Sequence, residues 1–208
     1  MDVTDVPRVD IRVLGPLSVS VDGRTVPIGS PKQRAVLAML ALHGRVSLDA
    51  LADELWRETP PASVAATVHT LVSRLRRTLV AAGAGLTVSA EGGAYVMDLD
   101  AEDQVDVHRF HDLAAQGRAV REVGSPADAA RCFRRALALW RGPALADLVD
   151  RDFARLAAVR LDEARLDVAE DLADAELAAG RPAAALDTVE PLTREHPFRE
   201  RLRGLQML

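Results

Sequence analysis

The chain has 208 residues, enough for one medium domain or two small ones of roughly 100–150 residues each, and its 49% hydrophobic and 27% charged content excludes a largely disordered chain. No apolar run approaches the ~18–20 residues of a membrane span, MDVTDVPRVD does not read as a signal peptide, and a lone cysteine, Cys132, excludes an internal disulfide framework and fits a reducing cytoplasm. The net charge of −5 argues weakly against nucleic acid as a partner of the whole chain, yet residues 31–80 carry an excess of three positive charges and residues 101–208 an excess of four negative ones.

From Arg12 to Ile28 the sequence predicts short strands. Val13, Leu17, Val19, Val21 and Val26 favour β structure, interrupted by Gly15-Pro16 and by the turn pair Asp22-Gly23. A helix follows over PKQRAVLAMLALH, with Ser30 as its cap, Pro31 in its first turn and Gly44 as its stop. In VSLDALADELW, Ser47 can cap a second helix whose Leu48, Leu51 and Leu55 form one stripe. Thr59-Pro60-Pro61 ends it, and a third helix is expected from near Ser63 to about Ala82, closed by Gly83 and Gly85. LTVSAEGGAYVMDLD then reads as a β-hairpin turning at Glu91-Gly92-Gly93. Residues 100–104 form the expected joint. Beyond it everything reads as helix, in segments near 105–123, 126–140, 150–179, 182–195 and 198–208. Two stretches, GSPADAARCFRRALALW and GRPAAALDTVEPLTREH, share a Gly-x-Pro-Ala turn followed by an Ala/Leu-rich helix. Their spacing exceeds the ~34 residues of a tetratricopeptide repeat, so regular stacking does not follow from the pattern.

The third helix carries the most chemistry. At 3.6 residues per turn, Val64, Val68, Leu71, Val72, Leu75 and Leu79 fall within an arc of about 100° that faces a core. The remaining circumference holds His69, Thr70, Ser73, Arg74, Arg76 and Arg77, and no acidic residue occurs from Ser63 to Ala90. Such a rod can enter a major groove, where arginine reaches guanine bidentately and hydroxyls reach phosphates or bases. Basic faces are more often simply solvated. A short helix, a Pro-Pro turn, the basic helix and a glycine-tipped hairpin in this order weigh towards a winged DNA reader.

Catalytic chemistry is not expected. The sequence has no GxxxxGK[ST], HExxH, CxxC or GxSxG, so no catalytic residue, cofactor or metal site is assigned. His108 and His111 lack a third ligand and read as packing residues. Cys132 reads as a small buried hydrophobe, and the pairs Asp162-Glu163 and Glu170-Asp171 read as solvated surface.

PKQRAVLAMLALHGRVSLDALADELWRETPPASVAATVHTLVSRLRRTL resembles the OmpR-type winged helix of the Streptomyces antibiotic regulatory protein family. The segments DVHRFHDLAAQGRAV, GSPADAARCFRRALALWRGPALADL and the remainder are similar to that family's bacterial transcriptional activation domain. The resemblance implies two domains: an N-terminal α+β winged helix-turn-helix over 1–100 and an all-α, tetratricopeptide-like domain over 105–208, expected to be truncated at its C-terminus with Leu205 and Leu208 exposed. It implies a cytoplasmic, nucleoid-associated activator of antibiotic or other secondary-metabolite genes. Such a protein binds direct repeats in double-stranded DNA as a dimer and recruits RNA polymerase. VSRLRR maps onto Val72–Arg77 and marks the recognition helix, so His69, Thr70, Ser73, Arg74, Arg76 and Arg77 become the expected DNA-facing residues. Lys32 and Arg34 of KQR, and Arg57 in the loop Arg57–Ala62, are candidates for backbone or polymerase contact, while Trp56 reads as a core plug and Tyr95 as packing at the base of the wing. The family's hairpin often carries a cation before its Gly-Tyr. Here Ser89-Ala90-Glu91 stands there, leaving Ser89 as the only obvious donor beside a carboxylate that phosphate would repel. The competing reading is a protein-interaction scaffold whose winged domain no longer binds DNA.

Overall fold

The structure, a computed structural model, describes residues 8–56, 61–99 and 104–207. In chain order the first elements are β1 (Val9–Arg12), β2 (Ser18–Val21), β3 (Arg24–Thr25), α1 (Pro31–His43), β4 (Arg45–Ser47), α2 (Leu48–Trp56) and α3 (Val64–Ala81). Then come β5 (Thr87–Glu91), β6 (Ala94–Asp98), β7 (Gln104–Val105), α4 (Asp106–Glu122), α5 (Pro126–Leu137), α6 (Asp152–Ala178), α7 (Pro182–Glu195) and α8 (Glu200–Gln206). They form two compact units, Met1–Val107 with Gly142–Ala158 and His108–Arg141 with Val159–Leu208. The expected joint at 100–104 lies outside the described residues except for Gln104.

In the first unit β1 and β2 pair antiparallel, with Ile11 opposite Val19, and the inward Val9, Ile11, Val19 and Val21 are all buried. This is the period-2 alternation of a strand with one face in a core. Asp22 and Gly23, both at positive φ, turn the chain into β3. β7 joins the far side of β1 in parallel, and the Asp106 carboxylate that follows accepts the Val13 and Leu14 N–H groups at 2.8 and 3.0 Å.

α1 begins with a reciprocal cap. Ser30 Oγ accepts the Gln33 N–H, and Gln33 Oε1 accepts the Ser30 N–H. Its residues Ala35 to Ala41 are buried without interruption, the mark of a helix surrounded by its own unit rather than laid on its surface. β4, a strand with no counterpart among the expected elements, leaves α1 at Gly44 and pairs with β6, giving a second sheet in the order β4-β6-β5.

Residues 142–158, which the sequence places inside the helical half, pack in the first unit. The cause is a set of polar ties made by this segment, which runs through a short 3-10 turn at Ala146–Leu148 into the start of α6. Asp147 accepts the Leu17 N–H at 2.6 Å and pairs with Arg34, and the Leu145 N–H donates to the Val13 carbonyl. Glu54 of α2 accepts the Phe153 N–H at 3.2 Å, while Leu145, Leu148 and Ala154 are buried.

The second unit is entirely helical. Gly117 of α4 lies so close to the fully buried Phe133 of α5 that a Cβ there would stand 2.5 Å from the ring. Phe110 meets Trp140 edge-on, and Arg165 stacks over the other ring of that pair. Ala173, Ala185, Val189, Leu202 and Leu205 make a core joining α6, α7 and α8. Leu205 is therefore buried, against the expectation of exposure, because α8 folds back onto α6 and α7; Leu208 lies outside the described residues. The reading of Glu170-Asp171 as solvated surface is also corrected. Both are buried, since α6 is flanked on several sides by helices that bring arginines to it. Glu170 is held by Arg199 and Arg201, and Asp171 by Arg118, Arg121 and Arg201. Cys132 is buried, while His108 and His111 are exposed, the latter edge-on to Phe110. No helix among the described residues is long and apolar enough to cross a membrane, and no group of three or more His, Cys, Asp or Glu among them is placed to hold a metal ion.

Candidate nucleic-acid interface

α3 is an amphipathic rod by construction. Val68, Val72, Leu75 and Leu79 recur every three or four residues and are buried, with Val64 and Leu71 at the margins of the stripe half-buried. Opposite them His69, Thr70, Arg74 and Arg77 are exposed and Ser73 is half-buried. Among the described residues no carboxylate pairs with Arg74 or Arg77, so both guanidinium groups keep their donors for an outside acceptor. The Thr70 hydroxyl donates to the Ala66 carbonyl at 2.8 Å, a carbonyl that also serves the helix, so it can turn outward at small cost.

Arg76 stands apart from its neighbours. It is half-buried and lines a pocket of about 120 Å³ with Leu79, Leu86 and Val88, and its Nε is enclosed with no hydrogen-bond partner among the described residues. Its stem covers the seam between α3 and β5, as long cationic side chains do on apolar surface. Tyr95, buried in β6, has its hydroxyl pKa raised by that burial, with the Arg76 charge opposing the shift.

α2 leads into α3. Its N-terminus is tied by the Ala50 N–H donating to Ser47 Oγ at 3.1 Å, and Leu51 and Leu55 anchor it in the core. Trp56 is half-buried rather than a core plug: its ring lies at the surface, where the Lys32 ammonium sits over it at 4.4 Å. Arg34 is committed inside the unit to Asp147 and to the Leu17 carbonyl. Arg57 lies outside the described residues.

The hairpin β5–β6 turns through Gly92 and Gly93 at φ +53° and +76°, conformations that a Cβ would strain. Ser89 Oγ donates to Glu91 Oε1 at 3.0 Å. Glu91 has a second partner that the sequence does not announce. Arg45 of β4 reaches across β6, donates from one terminal nitrogen to the Glu91 carbonyl at 3.1 Å, and sets the other 3.6 Å from its carboxylate. Only the strand order reveals this pair, because 46 residues separate the two.

The bacterial transcriptional activator domain family matches residues 105–208. The chain is 39% identical over 199 residues to the transcriptional regulatory protein EmbR of Mycobacterium tuberculosis, which covers 94% of this chain and 51% of EmbR. It is 37% identical over 201 residues to the regulatory protein DnrI of Streptomyces peucetius, covering 92% of this chain and 74% of DnrI. A solved structure, of M. tuberculosis EmbR in complex with a low-affinity phosphopeptide, aligns with a TM-score of 0.89 at 38% identity over 96% of this chain and 54% of that one. The chain thus spans about half the length of EmbR. The match over residues 105–208 places the chain in the class of proteins that carry a bacterial transcriptional activator domain. The chain belongs to the Streptomyces antibiotic regulatory protein family of transcriptional activators.

Proposed function

We propose that the first unit is an OmpR-type winged helix-turn-helix and that α3 reads DNA sequence from the major groove, with α2 as its supporting helix and β5–β6 as its wing. Arg74 and Arg77, exposed opposite a buried aliphatic stripe and without a carboxylate partner among the described residues, carry this reading. His69, Thr70 and Ser73 share that face, and Arg76 and Ser89 bear on the duplex less directly because each is engaged within the unit. The chain, with its DNA-reading part in 1–100 and activator part in 105–208, then activates secondary-metabolite genes from direct repeats near promoters. It does so as a dimer on DNA, in contact with RNA polymerase through the helical part or Lys32.

Binding to duplexes selected from a random pool, titrated at two salt concentrations, tests the reading. Arg77→Ala or Arg74→Ala should lose ~1–3 kcal/mol of specific affinity where the arginine reads a base. Where it touches phosphate, the salt slope should fall by ~1 with sequence preference intact. Wild-type affinity in both variants, or binding without salt dependence, would favour a protein-interaction scaffold instead.

A further inference from the structure

The wing as written in sequence lacks the cation that a phosphate contact needs. Ser89 is the side-chain donor next to its tip, and that hydroxyl is spent on Glu91. The three-dimensional wing is different. Arg45 stands in register with Val96 on the neighbouring strand, and its side chain runs diagonally over β6 to the hairpin tip. A Cβ added at Gly92 would lie 3.6 Å from the Arg45 guanidinium, so the absence of a side chain there leaves that group open. The Arg45 side chain is 54% exposed.

We infer that Arg45 is the wing's phosphate-binding residue, supplied by the neighbouring strand β4 of the same chain rather than by the hairpin itself. This rests on the winged-helix reading given above. The electrostatics support it. Glu91 alone would place a bare negative charge where duplex phosphates approach, and the Arg45 guanidinium beside it cancels that charge. A guanidinium carries five N–H donors, and the ties to Glu91 use a minority of them. Arg45 can therefore keep its bond to the Glu91 carbonyl, which fixes the guanidinium at the tip, while its remaining N–H groups donate to the oxygens of a phosphate. Contact with the backbone positions the wing without reading bases. The tie to a main-chain carbonyl matters, since it survives when the carboxylate is screened or displaced by the incoming phosphate.

The test is a binding titration of the 208-residue chain across a salt series on a duplex selected by the wild type, with a scrambled duplex alongside. Arg45→Ala should weaken both about 3–10-fold near 0.15 M salt and lower the salt slope by about 1, leaving the ratio between them unchanged. Arg45→Lys, which keeps the charge, should retain the wild-type slope, and thermal melts of both variants exclude unfolding as the cause. Wild-type slope in Arg45→Ala overturns the inference, as does an Arg45→Lys slope as low as that of alanine, which would mark a role in tip geometry alone. Arg77→Ala separates the two levels of the argument. If it loses specific binding while Arg45→Ala does not, only the wing assignment fails; if neither loses binding, the winged-helix reading fails with it.

Discussion

Glu176, buried on α6, accepts two hydrogen bonds from Arg134 at 2.9 and 2.7 Å and one from Arg181. Burial alone would raise its carboxyl above the ordinary 4.5, but the hydrogen bonds and charges of the two arginines outweigh burial and bring it below. A carboxyl whose folded pKa lies below the unfolded one stabilises the fold at neutral pH, and the contribution fades as pH falls from about 4.5 through the folded value. The partners are unequal: the arginine side chains are 50% and 39% exposed, whereas the Glu176 side chain is 2% exposed. Glu176→Gln should therefore cost about 1–2 kcal/mol in urea unfolding at pH 7, since the released arginines turn to water. Arg134→Met with Arg181→Met should cost more, about 3–5 kcal/mol, because it strands a buried carboxylate. The gap between wild type and Glu176→Gln should narrow as pH falls from about 4.5 through the lowered folded pKa. A gap that stays constant with pH would assign the cost to packing.

Elements with strong local signals were legible in the sequence. α1 announces itself through Ser30, Pro31 and Gly44, α3 through its aliphatic stripe, and the hairpins through Asp22-Gly23 and Gly92-Gly93. β4 and β7 were not legible: three and two residues carry no periodicity, and each exists because a distant strand offers a ladder. The site divides in the same way. Helical spacing sets Arg77 opposite the aliphatic stripe, but it leaves Arg74 and Arg76 alike, one on each flank, and what draws Arg76 aside is the apolar seam with β5. Arg45 is found only through the order of three strands. Close helix packing is another feature hidden from composition. Gly117 looks like a poor choice for a helix interior, and alanine there would ordinarily gain about 1 kcal/mol of propensity. With the fully buried Phe133 ring 2.5 Å from the new Cβ, Gly117→Ala should instead destabilise by about 1–3 kcal/mol, read as a lowered urea midpoint. A raised midpoint would mean that α4 and α5 separate freely.

At the scale of the molecule the chain does not hand over once from an α/β half to a helical half. It leaves the first unit after Val107, returns for Gly142–Ala158, and leaves again. The returning segment supplies Asp147, which satisfies the Leu17 N–H and neutralises Arg34, and it supplies the buried Leu145, Leu148 and Ala154. Without it Val13 loses the N–H that its carbonyl accepts, and Glu54 loses the Phe153 and Arg151 donors near the end of α2. A chain cut at Val107 keeps α1, α2, α3 and both sheets, yet leaves apolar surface and unpaired polar groups at one side of the β1–β2 hairpin. That fragment should unfold at a lower urea concentration than the first-unit transition of the 208-residue chain. Its loss of amide-exchange protection should concentrate in residues 13–17 and at the end of α2 rather than in α3. α3, the helix proposed to read DNA, is then expected to survive in the fragment with reduced stability, so any DNA binding by the fragment should weaken more with temperature than binding by the whole chain. Protection at 13–17 equal to that of the whole chain would show that the returning segment is a passenger on a unit complete without it.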